Sequence, residues 1–174
     1  MSPVHHFATG KFTSHAKRLT DAEYARALDS LVITCVDCVL TCGNEMLIGQ
    51  RVREPQADWW VIGGRMHPGE KFEQTAARHC QRELSLKVAP KRFHYLNTIS
   101  YIWSKRAQPP QKNGCHTVAI TMRAEITPSE RNGIQPNDEY RAIQWLPLHE
   151  IVKDKSFHLS LRQCATDASA IAHA

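Results

Sequence analysis

From Gly63 to Leu86 the chain reads GGRMHPGEKFEQTAARHCQRELSL. Two glycines and Pro68-Gly69 mark turns, and about Lys71 to Leu84 reads as a helix. Carboxylates at i, i+3 and i+4 of such a helix would share one face. Behind a glycine turn they could hold several divalent cations, which suits water attack at the phosphorus of a diphosphate ester. Here the helix ends Arg78-His79-Cys80-Gln81-Arg82-Glu83-Leu84, and Glu83 is the only carboxylate of that set. His79 precedes it by four residues, on the same face. One glutamate with backbone oxygens would hold a single Mg2+ with several waters, not a cluster.

The cysteines are the second reactive set. Cys35-Val36-Asp37-Cys38 has the spacing of a zinc or redox motif but lies inside the alternating apolar run Leu31–Thr41. Residues i and i+3 of a strand face opposite sides, so one ion would not bridge Cys35 and Cys38. No second such pair supplies further ligands. With Cys42, Cys80, Cys115 and Cys164, they read as reduced thiols.

The elements that must position these residues follow from pattern. Thr20-Asp21-Ala22-Glu23 has capping-box spacing and opens a short helix to about Leu28. Leu31–Thr41 and Glu45–Arg51 pair through a turn at Gly43-Asn44. Trp59–Ile62 is a short strand delivering the chain to the glycines, with Trp59 and Trp60 on alternate faces. His94–Trp103 and Cys115–Ile126 are strands joined by the basic, proline-containing loop SKRAQPPQKNG. Thr127–Asp138 is turn-rich. Ile143–Leu146 is a strand, and Leu148–Val152 and Leu159–Ala170 are helical. Hairpins, a helix, more strands and a terminal helix make an α+β fold.

The chain has 174 residues, 42% of them hydrophobic, enough for one domain with a core. Residues 1–18 read as an N-terminal extension that need not be ordered, and 19–174 as the domain. The extension holds three His, two Lys and an Arg but no apolar run. It is therefore not a secretory signal, and no segment approaches a membrane span, so a cytoplasmic location is expected. The net charge of +5 suits an anionic small molecule. It is not concentrated in one helix or tail, so no nucleic-acid partner is expected.

Gly64, Glu70 and Arg78, with five and seven residues between them, followed by Glu83 and Leu86, resemble the Nudix box; His79, Arg82 and Ser85 depart from it. The resemblance implies a Nudix fold, a mixed β-sheet sandwiched between α-helices. Within the Nudix family, one branch lacks the same two glutamates: the GDP-mannose mannosyl hydrolases. The similarity covers about residues 19–165. It is carried by EMLIGQRVREPQADWWVIGGRMHPGE, RHCQREL, CHTVAITMRAEI and NDEYRAIQWLPLHEI.

That resemblance implies Mg2+-dependent hydrolysis of a GDP-hexose to GDP and free sugar, with inversion at C1 and Mn2+ as an alternative ion. It implies metal ligation by the Gly63 carbonyl and Glu83, and His116 as general base. Arg65 and Arg51 would hold the diphosphate and stabilise its departure. Arg78 would assist or pair with Glu70, Asp37 would lie near sugar or metal, and Trp103 is a stacking candidate. The partner would be a nucleotide sugar or other diphosphate, and the protein a homodimer exchanging its first helix. Cys115 stands where the branch usually has an oxygen ligand, and Ser85 where a helix-ending glycine is usual. Three rival readings stay open. They are diphosphate hydrolysis at phosphorus, a Nudix-fold module that binds without turnover, and a non-hydrolytic biosynthetic step.

Overall fold

A computed structural model describes residues 4–15 and 17–172, with side chains through Ala170. Helix α1 (Asp21–Ser30) begins at Thr20, whose hydroxyl and backbone N–H both bond Glu23, the reciprocal cap its spacing predicts. Strands β1 (Ile33–Cys42) and β2 (Glu45–Arg51) form the expected hairpin. The strand expected at Trp59–Ile62 is two pieces. β3 (Trp59–Trp60) pairs with β2, and β4 (Ile62–Arg65) pairs with β1. The chain changes partner strand at Val61, which carries Gly63 and Gly64 into the sheet beside Asp37 and Val36.

Helix α2 (Phe72–Leu84) leads to β5 (His94–Trp103) and β6 (Cys115–Glu125). The turn-rich stretch contains a short helix, α3 (Pro128–Asn132), capped by Thr127 and Glu130. Strand β7 (Tyr140–Pro147) starts earlier than its apolar pattern suggests, because Tyr140 pairs with Arg51 across an irregularity at Gln50/Arg51. Helices α4 (Leu148–Lys153) and α5 (Leu159–Ala172) close the domain.

The seven-stranded sheet runs β3-β2-β1-β6-β5, with β4 on β1 and β7 on β2. β1 and β6 are parallel, and the other pairs are antiparallel. Alternation along β1 divides two cores. Val36, Cys38 and Leu40 pack with Ala76, Cys80 and Leu84 of α2. Val39, with Met46, Ile48 and Ala119, packs toward Ile151, Leu161 and Ala165 of α4 and α5. The fold is α+β, a mixed sheet between helical layers. Cys38 joins the α2 core and Cys35 faces the other side, as the spacing of a strand requires.

Part of the extension lies along α2: the His6 ring is 5.1 Å from that of Phe72, and its Nε2 is 3.3 Å from Glu73. No helix among the described residues is long and apolar enough to cross a membrane.

Candidate active site

On the α5 side of the sheet a cavity of about 270 Å3 opens between β1, β4, β5, β6 and helix α1. Asp37 and Cys35 enter it from β1, and Gly63, Gly64 and Arg65 from β4. Arg51 reaches it from the end of β2. Met46 and Ile48 face this side, so strict alternation would send Arg51 to the other, yet at the strand end its long side chain lines the cavity. Arg53 follows in the loop. The wall is aromatic: Trp60, Tyr101 and Trp103 line it. The Tyr101 and Trp103 rings are stacked at 4.9 Å, and Trp60 meets both edge-on at 5.6 and 5.7 Å. Tyr24 and Leu28 of α1 cover it, and Arg65 lies 4.6 Å from the Tyr24 ring centroid.

Asp37 is buried and accepts a side-chain hydrogen bond from Trp60. Burial raises its pKa to about 6, against the pull of Arg51 and His79. Burial pushes Cys35 up to about 12 and raises Cys115, so neither cavity thiol is a thiolate at neutral pH. Gly63, at φ 149°, leaves no room for a side chain: a Cβ would lie 2.4 Å from the Val36 carbonyl oxygen and 2.9 Å from Asp37 Oδ1. The glycine lets the β4 backbone close directly onto the Asp37 carboxylate.

Glu83 is elsewhere. It is fully buried on the α2 side. Its Oε1 lies 2.6 Å from His79 Nδ1 and accepts from Arg82 Nη2 at 2.5 Å. Its Oε2 accepts from the Tyr140 hydroxyl at 2.5 Å and from the Gly63 N–H at 3.4 Å. A carboxylate offers about four lone-pair positions, and four donors take them. Burial alone would raise the Glu83 pKa, but His79, Tyr140 and Arg82 outweigh it and hold it low. His79 Nε2 lies 3.2 Å from the Arg65 carbonyl, so both ring nitrogens face acceptor oxygens. Gly49 makes this network possible: a Cβ there would meet the Tyr140 ring at 2.4 Å.

The expected site residues therefore separate. Arg51, Arg65, Asp37, Trp103 and Gly63 come together in the cavity. Glu83, expected as a metal ligand, is saturated with donors outside it. Arg78 clamps Glu70 through Nε at 2.6 Å and Nη2 at 2.8 Å, and also donates to the Arg65 carbonyl at 3.1 Å. It braces the glycine turn and does not line the cavity. His116, expected as the base, lies on the opposite face. Cys115 and Thr117 line the cavity, and His116 between them hydrogen-bonds Ser100 at 2.9 Å. The alternation of β6 is the reason.

Tyr101, Arg53, Arg106 and Tyr24 also line the cavity, and the sequence reading names none of them. Tyr101 was within reach of sequence reasoning, since it sits two residues before Trp103 on one strand face. The loop arginines carried no periodic signal.

The Nudix domain model matches residues 33–167. The chain belongs to the Nudix family. The fold is similar to the MutT protein of Methanosarcina mazei (14% identity, TM-score 0.63), covering 80% of this chain and 94% of that one. It is also similar to the Nudix domain of Shewanella oneidensis NrtR, solved with ADP ribose (22% identity, TM-score 0.57, 86% and 99% covered). A MutT/nudix family protein of Enterococcus faecalis matches at 20% identity and TM-score 0.54 over 67% of this chain, which spans only 44% of that one.

Nudix hydrolases generally use divalent metals such as Mg2+. Glu83, the one carboxylate left in the box, does not fit such an ion as it stands. Mg2+ needs several unengaged oxygen ligands. Glu83 has none to offer, and Arg82 and His79 already bring donors to it. Among the described residues no group of three His, Cys, Asp or Glu is placed to hold a metal.

Proposed function

We propose that this chain hydrolyses a nucleoside diphosphate derivative, a GDP-hexose in the form the resemblance names, giving GDP and free sugar. The observation that carries the reading is the convergence of Arg51, Arg65, buried Asp37 and the Tyr101–Trp103 stack in one cavity. Guanidinium groups neutralise and orient a diphosphate. Stacked aromatic rings accept a planar base. A carboxylate with a pKa of about 6 is poised to take a proton from water near neutral pH.

In this reading Asp37 takes the place that the resemblance gave to His116. The water oxygen bonds to the anomeric carbon, and its proton passes to the Asp37 carboxylate. The bond from that carbon to the diphosphate oxygen breaks, its electron pair leaving with GDP. Arg51 and Arg65 stabilise the departing charge. Attack at carbon fits a site whose positive charge comes from Arg51 and Arg65. The homodimer belongs to the proposal as well. Exchange of α1 between copies would preserve the cover that Tyr24 and Leu28 give the cavity, and elution volume on size exclusion tests it.

A second reading, a module that binds without turnover, draws support from the saturation of Glu83. The deciding experiment incubates the protein with GDP-mannose and GDP-glucose, in Mg2+ and in EDTA, and follows hexose, GDP and GMP separately. Free hexose with GDP is expected, with binding retained in EDTA. GMP with hexose phosphate would mean attack at phosphorus. Tight binding without product would make this a binding module.

A further inference from the structure

Arg106 lies in the loop between β5 and β6 and lines the cavity, yet it is only 1% exposed. Its Nε donates to the Gln108 carbonyl at 3.1 Å. Its Nη1 donates to Asp29 Oδ1 at 2.7 Å and to the Gly114 carbonyl at 3.2 Å. Its Nη2 is buried and has no hydrogen-bond partner among the described residues. A buried donor left unpaired is costly and uncommon, so its position calls for a purpose.

The strand registers say where along the cavity this group stands. Asp37 is level with Thr121 of β6. Cys35, paired with Arg65, is level with Ala119. Tyr101 is level with Thr117, and Trp103 with Cys115, next to the Gly114 carbonyl that Arg106 holds. Each of these rungs is about 7 Å from the next. From one end to the other the cavity offers a carboxylate, an arginine, two stacked rings and Arg106. A nucleotide sugar offers its parts in the same order: reacting carbon, diphosphate, then base. Asp29 already balances the Arg106 charge, so a neutral acceptor suits Nη2 better than another phosphate.

We propose that Arg106 is a base-reading residue, whose free Nη2 donates to the keto oxygen of a base lying on Trp103. This rests on the nucleoside diphosphate reading and deepens it. Guanine O6 and uracil O4 stand where adenine and cytosine carry an amino donor, so a donor meeting that edge selects guanine and uracil.

The test is calorimetric titration of the full chain with GDP, UDP, ADP, CDP and inorganic pyrophosphate, for the wild type and Arg106→Lys. The wild type should bind GDP and UDP at least about tenfold more tightly than ADP and CDP, the effect of one hydrogen bond to a charged donor. Arg106→Lys keeps a charge for Asp29 but lacks the second forked nitrogen. It should erase that ratio and leave pyrophosphate affinity unchanged. Equal wild-type affinity for all four nucleotides would overturn the inference while leaving the diphosphate reading standing. So would a ratio that survives Arg106→Lys. Failure of every nucleoside diphosphate to bind would sink both.

Discussion

Two buried carboxylates lie on opposite sides of one glycine strand, and they have opposite electrostatics. Glu83, beneath Gly63, accepts from four donors and is held ionised. Asp37, beside Gly63, has few partners, and burial lifts its pKa to about 6. Hydrogen-bond supply, not burial, separates them. A saturated carboxylate has no capacity left to meet a substrate, so Glu83 organises the turn. An undersupplied one can exchange a proton, which is what the proposed reaction asks of Asp37. The difference also explains how a Nudix box can lose its acidic cluster and still fold. His79 and Arg82 bind Glu83 in place of a cation, and Tyr140 and the Gly63 amide complete its shell.

The sharpest way to break the comparison is Asp37→Asn. Loss of a general base should lower kcat by about 10²- to 10⁴-fold. The wild-type rate should rise through an apparent pKa of about 6, and the variant should lose that limb. Stability should move the other way. The folded state holds the Asp37 proton more tightly than the unfolded chain does. Wild-type stability therefore falls as pH rises from about 4 to 6, and the native site carries that cost at neutral pH. Asp37→Asn should raise stability at pH 7 by about 2–3 kcal/mol in urea unfolding. A variant that is inactive and less stable would make Asp37 a structural group.

Glu83→Ala should do the opposite at neutral pH. It strands His79, Arg82 and Tyr140 and should destabilise by about 3–5 kcal/mol. The Glu83 contribution is present above the ordinary carboxylate range and is lost as pH falls below it, because the folded pKa is held low. Thermal melts at pH 7 and pH 3 should therefore differ far less in the variant than in the wild type. An unchanged melting temperature at pH 7 would show the network to be worth little.

The smallest effect belongs to Ser85. It closes α2 at φ 55°, ψ 20°, the left-handed conformation glycine adopts freely, and the Leu86 N–H still returns to the Cys80 carbonyl. Ser85→Gly should stabilise by about 1 kcal/mol without altering turnover. A loss of stability would mean that the serine side chain contributes something the backbone geometry does not reveal.

The sequence determined the elements and one clamp. Cap spacing gave α1, alternation gave β1, β2, β5 and β6, and the Gly64–Glu70–Arg78 spacing gave the turn that Arg78 braces through Glu70. These are local or periodic signals, carried by a few neighbouring residues. It also determined that Cys35 and Cys38 face apart. The same alternation, run along β6, puts His116 and Cys115 on opposite faces, but only the tertiary structure decided which face holds the cavity. Tertiary structure alone brought Arg51 to the cavity from the end of β2, split Trp59–Ile62 between two partner strands and buried Arg106 beside Asp29 from 77 positions away. It alone gave Glu83 four donors and left Asp37 undersupplied. A carboxylate's character depends on which donors reach it, and those donors come from β4, α2 and β7, whose meeting is fixed by the packing of the whole sheet.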